Sequence, residues 1–89
     1  MKIYLITYDL RVPGKDYTGL YEAIKGIGTQ WYHPLESVWM VKSPLENADD
    51  IYRGICDAID SSDRLFVVEI NNDNKQGWLA KQFWEWLNN

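Results

Sequence analysis

An α+β domain built on an antiparallel sheet is the fold class that this 89-residue chain predicts. Three observations carry that reading. β-Branched and aromatic residues run from the start of the chain through Lys2-Ile3-Tyr4-Leu5-Ile6-Thr7-Tyr8 and end on Asp9. Two stretches with apolar residues at helical spacing follow, each after a polar loop. Finally, Arg64 to Asn71 alternates Phe66, Val68 and Ile70 with Leu65, Val67 and Glu69, the two-residue period of a strand.

Taken in order, the first strand closes at Asp9, and Leu10 to Asp16 forms a loop around Pro13-Gly14. Asp16 or Thr18 is the expected N-cap of a helix carrying Leu20, Ala23, Ile24 and Ile27 on one face. Gly28 suits the C-terminal stop of that helix. Thr29 to Ser43 then reads as two strands, or one long bent strand. Its apolar groups are Trp31-Tyr32 and Val38-Trp39-Met40-Val41, and Pro34 is expected at a bulge or an edge. Asn47 caps a second helix, with Asp49 and Asp50 in its first turn, where the helix dipole favours negative charge. Its expected buried stripe is Ala48, Ile51, Tyr52, Ile55, Ala58 and Ile59.

Asp60-Ser61-Ser62-Asp63 reads as a turn leading into the last strand. After a polar loop from Asn71 to Gln76, the segment Gly77 to Leu87 is expected to form a third helix, rich in aromatic residues. Its broad apolar arc holds Leu79, Ala80, Phe83, Trp84, Trp86 and Leu87. Lys81, Gln82 and Glu85 lie opposite, with Trp78 among them. The order strand-helix-strand-strand-helix-strand is the ferredoxin-like βαββαβ arrangement, with both helices on one face of an antiparallel sheet. The extra helix is the expected cover of the other face, either of its own sheet or across a second subunit. Residues 1–71 form the core and 72–89 the loop and terminal helix of a single domain.

Composition narrows the function. Hydrophobic residues make up 46% of the chain and aromatics 15%, which is a globular composition. Five tryptophans and six tyrosines exceed what so small a core houses, so part of that ring surface is expected to meet a partner or ligand. The net charge of -4 argues against a broad nucleic-acid-binding surface, since such surfaces are basic. Cys56 is the only cysteine, which excludes an internal disulfide and fits a reducing compartment. No signal-peptide pattern and no membrane-length apolar run is present, so a cytoplasmic location is expected.

Three segments also resemble a known family. They are the strand ending in Tyr8-Asp9, the segment Glu36-Ser37-Val38-Trp39, and the strand Arg64-Leu65-Phe66-Val67-Val68-Glu69-Ile70. Over residues 1–71 the chain resembles the small CRISPR-associated adaptation proteins of the Cas-two family and their VapD-type toxin relatives. Short stand-alone proteins with similar sequences are often labelled "SinR family". The resemblance implies a homodimer in which the strand-end aspartate of each subunit faces its partner and binds a divalent metal for phosphodiester cleavage. By position Asp9 takes that role, with magnesium as the implied cofactor. The tail from Gly77 to Asn89 does not share the match.

Each candidate residue has a plainer reading beside the functional one. Asp9 is either a metal ligand near a dimer axis or, more commonly for such a position, a strand-end aspartate capping a turn. Arg11 and Lys15 offer charge to a phosphate, yet Arg11-Val12-Pro13-Gly14-Lys15 lacks the glycine spacing of a phosphate-binding loop and also reads as a turn. Arg64 is a further isolated cation. His33 is the only histidine and has no titratable partner at a telling spacing. Cys56 is expected to be a small buried hydrophobe. Trp39, Trp84 and Trp86 are expected to pack, whereas Trp31, Tyr32 and Trp78 are open to stacking on a ligand.

The function expected from these residues is a non-catalytic homo-oligomeric binding module for a nucleotide-like ligand or a protein partner. One concrete form is a sponge for a small signalling nucleotide in phage–bacterial defence, with Arg11, Lys15, Trp31, Tyr32, His33 and Trp78 as ligand-binding residues. The alternatives are a metal-dependent nuclease centred on Asp9 and a non-enzymatic dimeric scaffold.

Overall fold

The computed structural model describes every residue from Met1 to Asn89. The strands are β1 (Lys2–Asp9), β2 (Gln30–Leu35), β3 (Val38–Ser43) and β4 (Arg64–Ile70). The helices are α1 (Thr18–Gly26), α2 (Ala48–Ile55) and α3 (Lys81–Asn88), with a 3₁₀ turn at Cys56–Ala58. The strands form one four-stranded sheet in the order β2-β3-β1-β4, and every neighbouring pair is antiparallel. β3 is therefore inserted between β1 and β2, and β1 between β3 and β4. No helix is long and apolar enough to cross a membrane.

Alternation along β1 sends Tyr4 and Ile6 to one face, where both are fully buried with Leu20 and Ile24 of α1, Trp39 and Val41 of β3, and Ile51 and Ile55 of α2. Each such aliphatic side chain contributes roughly 1.5–3 kcal/mol on removal from water. Tyr4 keeps its hydroxyl satisfied there by donating to the Leu45 carbonyl at 2.6 Å.

The opposite face is covered in part by α3, packed against its own sheet toward the Ile3 end. Phe83 and Leu87 are buried. Tyr32 of β2 meets the Phe83 ring at 5.4 Å and the Trp86 ring at 5.7 Å. Lys42 of β3 is buried beneath the helix C-terminus. Its ammonium donates to the carbonyls of Trp86 and Asn89 and lies 4.5 Å from the Trp86 ring centre. A cation at that point meets the negative end of the helix dipole.

Cross-strand register divides this second face into rows. Gln30, Lys42, Ile3 and Ile70 are aligned across the sheet, and then Tyr32, Met40, Leu5 and Val68. The next row is Leu35, Val38, Thr7 and Phe66, followed by Asp9 opposite Arg64 at the rim. Cross-strand partners share a face, so the Asp9 end of the sheet lies beyond the rows that α3 packs on.

Several local expectations need correction. The third helix begins at Lys81, not Gly77. Ala80 is extended at φ -59°, ψ 143°, and no side chain caps the helix start. Gly77 to Ala80 instead runs as a non-helical lead-in whose Leu79 reaches the sheet-side cleft with Leu5, Ile70 and Phe83. Tyr52 is 42% exposed and not part of the buried stripe. Ile51 and Ile55, one turn apart, are buried, and Ala48, Ala58 and Ile59 are partly buried against the same core, the last two beyond the end of the α-helix at Ile55.

Cys56 lies in the 3₁₀ turn beyond that helix and is half-buried, not enclosed. The N-cap position of α1 is Tyr17, whose side chain makes no capping bond to the helix. Asp16 bonds the Thr18 N–H from just outside the helix, at 2.9 Å. The helix stop also differs in cause: Ile27 is the C-cap of α1, and Gly28 is required because a Cβ there would run into the Lys42 carbonyl. Two other expectations are met. Asn47 accepts from the Asp50 N–H at 3.0 Å, and β2 is an edge strand with an irregularity between Tyr32 and Leu35, where His33-Pro34 lies.

Candidate functional site

Two surfaces meet at the end of the sheet where β1 terminates. The first is the row Leu35, Val38, Thr7 and Phe66. Phe66 is 59% exposed, and Leu35 is also exposed. The strand alternation that packs Leu65 and Val67, both partly buried, against the helical-side core turns Phe66 outward, beyond the cleft that α3 lines. A shallow cleft of about 300 Å³ lies along this edge between Thr7, Tyr8, Asp9, Arg64, Leu65 and Phe66.

The second surface lies on the helical side. Tyr8, Asp9, Leu10, Tyr21, Glu36 and Ser37 line an open polar cleft of about 520 Å³. Behind it runs a chain of aromatic rings. Tyr8 and Tyr21 are 6.3 Å apart, Tyr21 and Trp39 6.0 Å, and Trp39 and Trp31 5.3 Å. The Tyr8 hydroxyl accepts from the Trp39 indole N–H at 3.0 Å and donates to the Glu36 carbonyl at 3.2 Å. Burial raises the Tyr8 pKa, partly opposed by the indole donor, so the hydroxyl stays protonated at neutral pH.

The predicted site residues separate over these surfaces. Asp9 is exposed at the rim and forms an ion pair with Arg11, whose Nε lies 2.9 Å from Oδ2. Lys15 lies 3.9 Å from Asp60 and over the Tyr17 ring. His33 stacks flat on Trp39, 3.8 Å between ring centres, with Nε2 3.0 Å from the Glu36 carbonyl. Trp31 is 42% exposed and has the Lys25 ammonium over its ring. Tyr32 faces the other side of the sheet, under α3. Trp78, on the lead-in to α3, is 100% exposed.

Two pairs are brought together: Asp9 with Arg11 as an ion pair, and Trp31 with His33 through Trp39. Adjacent strand residues point to opposite faces, so Trp31 and Tyr32 cannot line one wall. The row Leu35, Val38, Thr7 and Phe66 escaped the sequence reading. Its signal was present in β4, which is apolar in both phases of its alternation and therefore needs cover on both faces.

Asp63 closes the expected turn, its N–H donating to the Asp60 carbonyl at 3.0 Å, and has a second role as well. It is buried and accepts from the Arg11 N–H at 2.7 Å and the Asp60 N–H at 2.8 Å. The Tyr17 hydroxyl lies 2.8 and 2.9 Å from its two oxygens. Burial pushes the Asp63 pKa up, but these donors and nearby Lys15 outweigh it and hold the pKa below 3.8. The carboxylate thereby ties the β1–α1 loop to the start of β4, which orients Arg11 toward Asp9.

A magnesium ion wants several oxygen ligands around it. Asp9 supplies one carboxylate, already held by a guanidinium, and no group of three or more His, Cys, Asp or Glu gathers anywhere in the chain. The residues of a single chain do not make up a magnesium site at Asp9. No family model matches the chain, and no curated protein or solved structure matches it either.

Proposed function

We propose that the protein is a non-catalytic binding module that works as a homo-oligomer through the open row of its second sheet face. The carrying observation is a largely apolar row beyond the rows that α3 packs on, with Phe66 exposed at one end and Leu35 at the other. In a chain of net charge -4, a largely apolar strip rimmed by Asp9, Arg11 and Arg64 marks a contact surface. A protein surface suits it better than a nucleotide, because the residues suited to stacking and to phosphate are spread over both faces.

The sheet order and the interleaving of β1-α1-β2 with β3-α2-β4 support a ferredoxin-like scaffold, in line with the Cas-two and VapD-type resemblance. Binding rather than chemistry is supported by how the polar groups are engaged: Asp9 is held by Arg11, and the Tyr8 hydroxyl by Trp39 and Glu36. Native mass spectrometry of the parent chain and Phe66→Asp tests this. The parent is expected at an integer multiple of the 10.5 kDa chain mass and the variant at the chain mass itself. A parent chain found only as a monomer would refute the reading.

A further inference from the structure

Where α3 packs on its sheet it leaves a cleft of about 240 Å³. Leu5 of β1 and Ile70 of β4 line it from the sheet, Phe83 and Leu87 from α3, and Leu79 from the lead-in. The exposed loop residues Asn74, Lys75 and Gln76 stand at its mouth. The loop is tied down without any ligand. The Asn72 side-chain amide donates to the Leu87 carbonyl at 2.7 Å, and the Lys75 ammonium to the Asn72 and Asp73 carbonyls at 3.2 and 3.4 Å. The cleft is therefore pre-formed, as small-molecule sites usually are. Asn72 Oδ1, in the same loop, is the one buried side-chain acceptor of the chain left without a partner, so the polar groups here are not all engaged in holding the fold.

Size and charge together define the occupant. A cavity of roughly 150 Å³ holds benzene, so about 240 Å³ accommodates one aromatic ring with a short side chain. Lys75 is the only charged residue lining the cleft, and none of the chain's 13 acidic residues does so. Lys2, Lys15, Lys25 and Lys81 each lie within ion-pair distance of a carboxylate, whereas Lys75 meets backbone carbonyls alone. An apolar cleft with one uncompensated cation at its mouth is complementary to an amphipathic anion. We propose that this cleft binds a small apolar carboxylate, its ring against Leu5, Ile70, Leu79 and Phe83 and its carboxylate on Lys75. Gln76 adds a donor at the same mouth. Its Oε1 accepts from the Gly77 N–H at 2.9 Å, which leaves the side-chain NH₂ for a carboxylate oxygen. The site lies at the Ile3 end of the sheet, apart from the Leu35–Phe66 row, and stands independently of the homo-oligomeric reading.

The test is titration of the isotope-labelled chain with 3-phenylpropionate and with its neutral counterpart 3-phenylpropan-1-ol, read from amide chemical shifts. The acid is expected to give saturable shifts centred on Leu5, Ile70, Leu79 and Phe83, with Thr7 and Phe66 unmoved, and to bind more tightly than the alcohol. Lys75→Gln is expected to weaken the acid by roughly two- to fivefold, the scale of an exposed ion pair, and to leave the alcohol unchanged. Lys75 is exposed, so this variant keeps the core intact and decides the matter even if a cleft-filling variant such as Leu79→Trp fails to fold. Folded Leu79→Trp is expected to abolish saturation by both compounds. The absence of saturable shifts, saturation centred elsewhere, or Lys75→Gln binding the acid as tightly as the parent would each overturn the proposal and spare the homo-oligomeric reading. A parent monomer that binds the acid in the cleft would do the reverse.

Discussion

Tyr17 and Asp63, separated by 46 residues in sequence, form a buried hydroxyl–carboxylate contact in which the hydroxyl lies 2.8 and 2.9 Å from the two carboxylate oxygens. Two backbone N–H groups complete the arrangement. The contact joins the loop that ends at α1 to the turn that begins β4, and so fixes the rim where Asp9, Arg11 and Arg64 stand.

Asp63→Asn is expected to lower the melting temperature by several degrees, and Tyr17→Phe by less, because the phenylalanine keeps the ring packing. The pH dependence follows from the direction of each shift. Asp63 is held below 3.8, so its contribution is complete above that value and fades as pH falls through the lower folded-state pKa. Burial and the Asp63 carboxylate raise Tyr17 above 10.0, so its contribution is complete below 10.0 and fades as pH rises beyond it. Thermal melts of the parent and Asp63→Asn between pH 2 and 6 check the first, with the two curves expected to converge at the acid end.

Gly28 sits against the β3 backbone, where Thr29 donates its N–H to the Lys42 carbonyl at 2.9 Å. Gly28→Ala must displace backbone, not a flexible side chain, and is expected to cost roughly 1–3 kcal/mol, the range for overpacking. Gly26→Ala, with open space at its Cβ position, is expected to be neutral or slightly stabilising. Chemical denaturation of the two variants provides the comparison.

Lys42→Met keeps most of the apolar stem of the side chain but removes the charge under α3. The loss is expected to be about 1–2 kcal/mol from the helix C-terminus and the Trp86 ring. Hydrogen exchange should localise it, with the amides of Lys81–Asn88 exchanging faster and those of β1 unchanged.

Much of the fold was legible because its signals are local. The alternation in β1 and β4, the Asn47 cap and the proline at the β2 irregularity each depend on neighbours a few residues away. The features that escaped depend on distant chain. Trp78-Leu79-Ala80 has helical composition, yet the lead-in is non-helical and its Leu79 lines the sheet-side cleft with Leu5 and Ile70. Asp63 looks like any turn aspartate until Tyr17 and the Arg11 amide are brought to it. The candidate site was partly legible for the same reason. Asp9 and Arg11 are close in sequence, whereas the open row draws one residue from each of four strands.

Self-association through that row is the central claim, and sedimentation equilibrium of the unaltered chain over a dilution series tests it most directly. The predicted result is a mass near twice 10.5 kDa at high concentration, falling toward 10.5 kDa on dilution. A mass of 10.5 kDa at every concentration would contradict it.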